Sequence, residues 1–331
     1  MKPPHGPLVV GTNRPAARFY KGGAKIDAFR SLPPGLDHTP EDWVASTTPV
    51  RGAAPAGLTT LPDGTLLLDA VRKDPIAWLG AGHVARWGAD SMILVKLLDA
   101  GQRLPVHAHP DDAFAATELA SAHGKAEAWF ILEPGDVYLG LRADIDRAGL
   151  ARLVRTQDTT TLLRLLNKVA VAKNDSVTVP PGTLHAIGKS VLLAEVQQPS
   201  DLSILLEWEG FAVDGAAEGH LGLGFDRALE AVNIQATAPR QIGDLVRRAA
   251  LEGPALPTFT KAWFRLDRTT SSAGYGPGFA IIIATEGSSR LISTAGTLNM
   301  AKGTTAVVPA ATGPITVKTD GAALIARPPA A

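Results

Sequence analysis

The apolar residues of this 331-residue chain come largely in runs of strand length, each closed by glycine or proline. SMILVKLLDA (91–100), AWFILEPGDVYLGL (128–141), SVTVPPG (176–182), SVLLAEVQQ (190–198) and FAIIIA (279–284) all have this form, and a shorter β-like piece, GTLLLDAV, covers 64–71. Short apolar or β-branched segments between turns predict strands, and several of them together predict an antiparallel sandwich or barrel. SMILVKLLDA is continuous rather than alternating, so it is expected to be a strand buried on both faces. With 33 glycines, 25 prolines and only 19% charged residues, the chain suits many short strands better than a helical bundle.

Helical spacing enters at three places. LARLVRTQDTTTLLRLLNKV, inside 144–170, repeats apolar residues at helical intervals, with Asp and Thr placed to start or cap two helices. FDRALEAVNI (225–234) and QIGDLVRRAALE (241–252) predict two more, and after Pro254 strands and glycine turns return. The organisation expected is a β module over 1–140 and 171–215, a helical insertion over 141–170, a helical connector over 216–254, and a smaller β module over 255–331.

Charge and cysteine content exclude several classes of function. Lys plus Arg is 32 and Asp plus Glu is 32, so no overall field draws nucleic acid or an anionic membrane. No cysteine is present, which removes disulfides, thiolate zinc sites, iron–sulfur clusters and a cysteine nucleophile. Any metal must be held by His, Asp, Glu or amide oxygen. The opening MKPPHGPLVV lacks the apolar core of a signal peptide, and the longest apolar runs fall far below the roughly 18 residues of a membrane helix. A cytoplasmic location is the default expectation, with a monomer as the default state.

One constellation carries chemistry. His107 and His109 stand at i and i+2 after a strand, where both side chains share a face and two imidazoles can chelate one cation. Glu127 opens the next strand, and His185 follows the turn Pro180-x-Gly182. A His107, His109, Glu127, His185 set on neighbouring strands makes a four-ligand shell for one divalent ion. Asp111 and Asp112 are read as loop residues that cap an inserted segment, His123 as a turn histidine, and His5, His38, His83 and His220 as histidines without partners at ligand spacing. The scattered Trp43, Trp78, Trp87, Trp208 and Trp263 are assigned to core, and Trp129 to the neighbourhood of the ligand strand.

The strings HPDDAFA, HGKAEAW and PPGTLHAIGKSVLLAEVQQPSD, with RFYKGGAKID and PEDWVASTT upstream, resemble the class I, cupin-type mannose-6-phosphate isomerases in their short bacterial form. The resemblance spans nearly the whole chain. It implies a mainly β fold of two cupin jelly-roll modules with a helical insertion and a helical connector, and a metal-dependent aldose–ketose isomerase acting on mannose 6-phosphate and fructose 6-phosphate. The family's four metal ligands fall on His107, His109, Glu127 and His185, where the family usually has Gln at the first position. The resulting three-His, one-Glu shell suits Zn first, with Mn, Co, Ni or Fe open to it as well. Its other active-site positions fall on Lys125, Glu195 and Asp201, which the resemblance makes candidates for proton transfer and ring opening, with the base unassigned among them.

At one position the chain departs further. Leu205 stands where the family has an arginine. Another cation, from Lys21, Arg51, Lys173 and Lys189, takes its place; or the substrate carries no phosphate; or the protein binds sugar without turning it over. The expected partner is a small sugar or sugar phosphate. In the C-terminal module KGTTAVVPAATGP has the turn but no histidine, so that module is expected to hold no metal.

Overall fold

The computed structural model describes residues 6–330, so His5 lies outside the described residues. Strands dominate, in four sheets whose neighbouring strands all run antiparallel. A six-stranded sheet runs, in spatial order, Val246–Arg247, Ser176–Val179, Glu127–Glu133, Leu192–Gln197, Leu94–Asp99 and Glu41–Val44. Facing it is a five-stranded sheet of Ile204–Leu205, His107–Ala108, His185–Ile187, Gly135–Leu141 and Leu166–Val171.

The alternation of side chains along each strand decides what lies between these two sheets. Trp129, Ile131, Leu98, Leu193 and Val177 from the first meet Val137, Leu139, Val169 and Ile187 from the second in one apolar core. The intervening residues Ala128, Phe130, Val95 and Leu97 point the other way, into a second core. The strand Leu94–Asp99 is buried along its whole length, as its continuous apolar run predicts.

A second six-stranded sheet has the order Leu8–Val10, Thr305–Val308, Ala280–Glu286, Ala322–Arg327, Arg265–Thr269 and Gly253–Pro254, and a four-stranded sheet is formed by Ser272–Tyr275, Ile315–Thr319, Ser288–Ser293 and Gly296–Ala301. Ile282, Leu291, Val317 and Ile325 fill the space between them. Its other face supplies Ile281, Ile283 and Leu324 to the core that holds Phe130 and Leu97, so the two six-stranded sheets share one apolar layer. The N-terminal strand Leu8–Val10 pairs with Thr305–Val308, from the far end of the chain.

Helices depart from the sequence expectation at four points. The β-like piece at 64–71 is the helix Leu67–Lys73, because Leu67 and Val71, four apart, bury together on one face. The helices Arg147–Thr156 and Thr159–Leu165 form as expected, with Asp146 accepting from Gly149 N (2.6 Å) and Asp158 from Thr161 N (3.1 Å). The stretch that follows, read as more of the helical insertion, is instead the strand Leu166–Val171, whose Val169 and Val171 alternate into the core. Likewise 225–234 shortens to the helix Phe225–Ala228 and a 3-10 turn, Leu229–Ala231. The helix in 241–252 is Pro239–Leu245; it stops where Val246 pairs with Val177 and Asp175 draws in Arg248 (2.6 Å) and Ala249 N (3.0 Å). Among the described residues no helix is long and apolar enough to cross a membrane.

Candidate metal centre and its pocket

Three histidines converge from the five-stranded sheet and its edge. His107 and His185 are cross-strand partners, and His109 follows two residues after His107. Each ring is tied by one nitrogen to a main-chain carbonyl: His107 Nδ1 donates to Pro105 O (2.8 Å), His109 Nδ1 to Leu202 O (2.7 Å) and His185 Nδ1 to Thr183 O (2.8 Å). A carbonyl only accepts, so each Nδ1 carries the proton and each Nε2 presents a bare lone pair. One nitrogen from each ring lies within 4.8 Å of the others.

Glu127 reaches the same point from the opposing sheet. Its Oε2 is 3.0 Å from His109 Nε2 and its Oε1 is 3.1 Å from His185 Nε2. Both nitrogens and Glu127 Oε2 lack a hydrogen-bond partner, in a place where all four side chains are buried. Lone pairs facing a carboxylate in a dry site are costly unless a cation lies between them. Protonation of His107 or His109 does not supply it. Burial first, then the neighbouring His185, holds His107 well below the ordinary histidine range. Burial and the nearby Lys125 push His109 down to about 3. Three imidazole nitrogens and a carboxylate therefore fit a divalent ion.

The pleat carries further polar groups into the same lumen. Trp43, Lys96, Glu195 and Trp129 lie side by side across four strands. Lys96 Nζ is 3.5 Å from Glu195 Oε2, 3.6 Å from Glu41 Oε2 and 4.6 Å from the centre of the Trp43 ring. Glu41 accepts from Tyr20 OH (2.6 Å), Trp43 Nε1 (2.7 Å) and Arg18 Nε (3.1 Å). Burial would raise the Glu41 carboxyl, but Arg18 and Lys96 hold it well below the usual range. Glu195 moves the other way: burial first and the Glu127 charge second push it up to about 7. Lys125 Nζ is 3.1 Å from Glu127 Oε2, and its charge outweighs the burial that would raise that carboxyl. Lys125, Glu195, Glu127 and His107 border one cavity.

That cavity shares Asp201, Ser203 and Leu205 with an outer cleft of about 410 Å³. Arg18 and Phe19 border both spaces, and Arg51 borders the outer one. Of the cations expected to stand in for the residue replaced by Leu205, only Arg51 is here. Lys21 is exposed and pairs with Asp37 (3.7 Å), Lys173 pairs with Glu286 (2.6 Å), and Lys189 borders neither space. Sequence reasoning missed Arg18, Glu41 and Lys96. Lys96 had a signal, a lysine inside a largely apolar strand, whereas Arg18 and Glu41 stood in strings that carry the resemblance but had no spacing that marked them.

Other expectations resolve locally. Asp111 accepts from Phe114 N (2.8 Å) and caps the helix Asp112–Leu119 that forms the inserted segment. Asp112 instead accepts from Gly124 N and Gln198 Nε2 (2.8 Å each), while Gln198 Oε1 takes Ala126 N (2.8 Å), which ties down the backbone on both sides of Lys125. His123 bonds Asp90 (2.7 Å) and His83 bonds the Asp90 carbonyl (2.6 Å), both outside the pocket. His38 and His220 make contacts to main chain. Trp43, Trp78 and Trp129 are fully buried, with the Trp129 ring 5.7 Å from His185, whereas Trp87, Trp208 and Trp263 are only partly covered.

In sequence the chain is 31% identical to the mannose-6-phosphate isomerase ManA of Bacillus subtilis over 211 residues, 61% of this chain and 64% of that protein. To the mannose-6-phosphate isomerase of Streptococcus mutans it is 32% identical over 170 residues, 49% of each. The matched stretches span less than two thirds of these curated relatives. No protein-family model matches the chain. In structure it superposes on the mannose 6-phosphate isomerase of Bacillus subtilis with a TM-score of 0.74 at 20% identity, over 97% of this chain and 99% of that one. A point mutant of phosphomannose isomerase from Salmonella typhimurium gives 0.72 at 16%, over 98% and 100%. The mainly β fold expected from the sequence is thus the fold of these isomerases.

Proposed function

We propose that this chain is a mannose-6-phosphate isomerase of the class I, cupin type and interconverts mannose 6-phosphate and fructose 6-phosphate with a divalent metal ion. The observation that carries the reading is the set of three imidazole lone pairs and one carboxylate that meet in a buried pocket, each ring fixed by its own carbonyl. His107, His109 and His185 would hold the ion through Nε2, and Glu127 through its carboxylate. Zinc is the first choice, with Mn, Co, Ni and Fe compatible with the same donors. When bound, the ion supplies Lewis acidity at the oxygens on C1 and C2 of the sugar.

Aldose and ketose differ by a proton moved between C1 and C2 and by the protonation of two oxygens. Lys125, Glu195 and Asp201 are the groups of this chain proposed to move those protons and to open the ring. Glu195 is buried, lies 3.5 Å from Lys96 Nζ and borders the cavity, which places a carboxyl where a proton could be taken up or given. Lys125 Nζ lies 3.1 Å from Glu127 Oε2 and borders the cavity. Asp201 stands at the lip, where an incoming ring is met first. The same reading makes the two facing sheets that carry His107, His109, Glu127 and His185 the catalytic module, with the helices Arg147–Thr156 and Thr159–Leu165 as an insertion in it, and the C-terminal pair of sheets a metal-free module packed behind it, in a cytoplasmic monomer.

The test is a turnover assay of protein loaded in parallel with Zn, Mn, Co, Ni and Fe(II), on mannose 6-phosphate and on free mannose. Conversion of mannose 6-phosphate by a metal-loaded form, lost on chelation and regained on reloading, is the expected result. A protein that holds metal yet converts no mannose 6-phosphate in any loading overturns the proposal.

A further inference from the structure

We infer that Arg18 and Arg51 form the anion-binding end of the substrate site and take the phosphate monoester of the sugar. This rests on the sugar-phosphate reading of the pocket. In such a substrate the reacting C1 and C2 and the phosphate on C6 sit at opposite ends of a six-carbon chain. The anion must therefore be held in a space continuous with the metal ligands but set apart from them, and the outer cleft is that space.

On one wall of the passage Leu205 pairs in register with His107, so its side chain lies beside the ligand on the same face and offers no donor. The cations come from elsewhere in the chain. Arg18 is gripped at one edge, where Nε donates to Glu41 (3.1 Å), and Glu41 is itself anchored by Tyr20 and Trp43. Its Nη2 lies 3.5 Å from Asp201 Oδ1, and its Nη1 makes no hydrogen bond among the described residues. With its side chain only 15% exposed, Arg18 is a desolvated guanidinium already oriented by its neighbours. Arg51 borders the same cleft. Its Nη2 donates to Leu221 O (3.1 Å) and its main-chain N to Asp201 Oδ2 (3.2 Å), and it has no carboxylate partner among the described residues. Asp201 thus spaces the two arginines with its two oxygens while leaving both guanidiniums with unused donors. Two guanidiniums with unused N–H donors border one cleft, with Ser203 also in its lining, and offer a tetrahedral dianion charge-assisted hydrogen bonds.

Arg51 is exposed, so Arg51→Ala is expected to fold, and it is the first variant to make. Two measurements are taken on the zinc-loaded full chain: calorimetric titration with inorganic phosphate, and kcat and KM for mannose 6-phosphate and for free mannose. Loss of a charged hydrogen-bonding group predicts a roughly tenfold weaker phosphate affinity and a similar rise in KM for mannose 6-phosphate, with kcat little changed and KM for free mannose unmoved. Arg18→Lys, which keeps the charge and loses the fork, is expected to raise the same KM. Adding Leu205→Arg to Arg51→Ala is expected to recover part of the loss by putting a guanidinium back at the cleft. Unchanged phosphate affinity in Arg51→Ala, or an equal rise in KM for both sugars, overturns the inference. If the wild type converts neither sugar, the proposed function falls, and the phosphate titration still decides the anion site.

Discussion

At the residue scale the pocket is held by partners that aim each group before any ligand arrives. His107 and His185 each bond the carbonyl two residues earlier, so ring orientation is a local property of the chain around each strand start. His185→Ala should lose both bound metal, by elemental analysis, and turnover; retention of either at the wild-type level sinks the ligand assignment. Glu41 is the other pivot. It is buried against Arg18 and Lys96 and bonded by Tyr20 and Trp43. Glu41→Gln keeps the shape and removes the charge that compensates two buried cations, so it should cost roughly 3 kcal/mol in urea denaturation, in the range for breaking a buried ion pair. A cost within 0.5 kcal/mol, the scatter of ordinary surface changes, would show that these cations are satisfied without it.

At the scale of elements, the segment between the His107–Ala108 and Glu127–Glu133 strands decides where Lys125 stands. It is a capped helix closed by a loop, and His123 pins that loop to Asp90 (2.7 Å). Burial alone would lower the His123 pKa, but the Asp90 hydrogen bond and charge outweigh it and raise it above 6.5. Asp90 is likewise lowered, because His123 outweighs the burial that would raise it. A raised histidine contributes its full stability below its unfolded value and loses it as the pH climbs through the folded one. A lowered carboxylate contributes above its unfolded value and loses it only as the pH falls through the folded one. The pair is therefore strongest between about pH 4.5 and 6.5. Asp90→Asn should lower stability by no more than about 1 kcal/mol near pH 5.5, since Asp90 remains 35% exposed, and by less at pH 9. Equal shifts in melting temperature at both pH values would refute the pairing.

Over the whole molecule, the two six-stranded sheets share one apolar layer. Phe130, Val95 and Leu97 meet Ile281, Ile283 and Leu324 there, joined by Phe264 and Phe279. The N-terminal strand on the far sheet ties the two ends of the chain together. The sandwiches should therefore unfold together. Phe130→Ala is expected to cost about 3–5 kcal/mol through the cavity it leaves, and to lower a single denaturation transition monitored through tryptophan fluorescence and circular dichroism. Two separated transitions in the wild type would show that the shared layer does not couple the sheets.

Strand positions, the two capped helices of 147–165 and the spacing of His107, His109, Glu127 and His185 were legible in the sequence, because pleat alternation, capping and turn chemistry act over a few residues. The helix at Leu67–Lys73 and the strand at Leu166–Val171 were not, because a short apolar run suits either state until neighbours select its buried face. The tertiary structure alone set Arg18 and Glu41 beside Lys96, and Arg51 beside Asp201, across separations of 23 to 150 residues. Ion pairs of that span leave no periodicity in a sequence. They exist because two sheets folded face to face bring distant strand ends and loops to one cavity mouth.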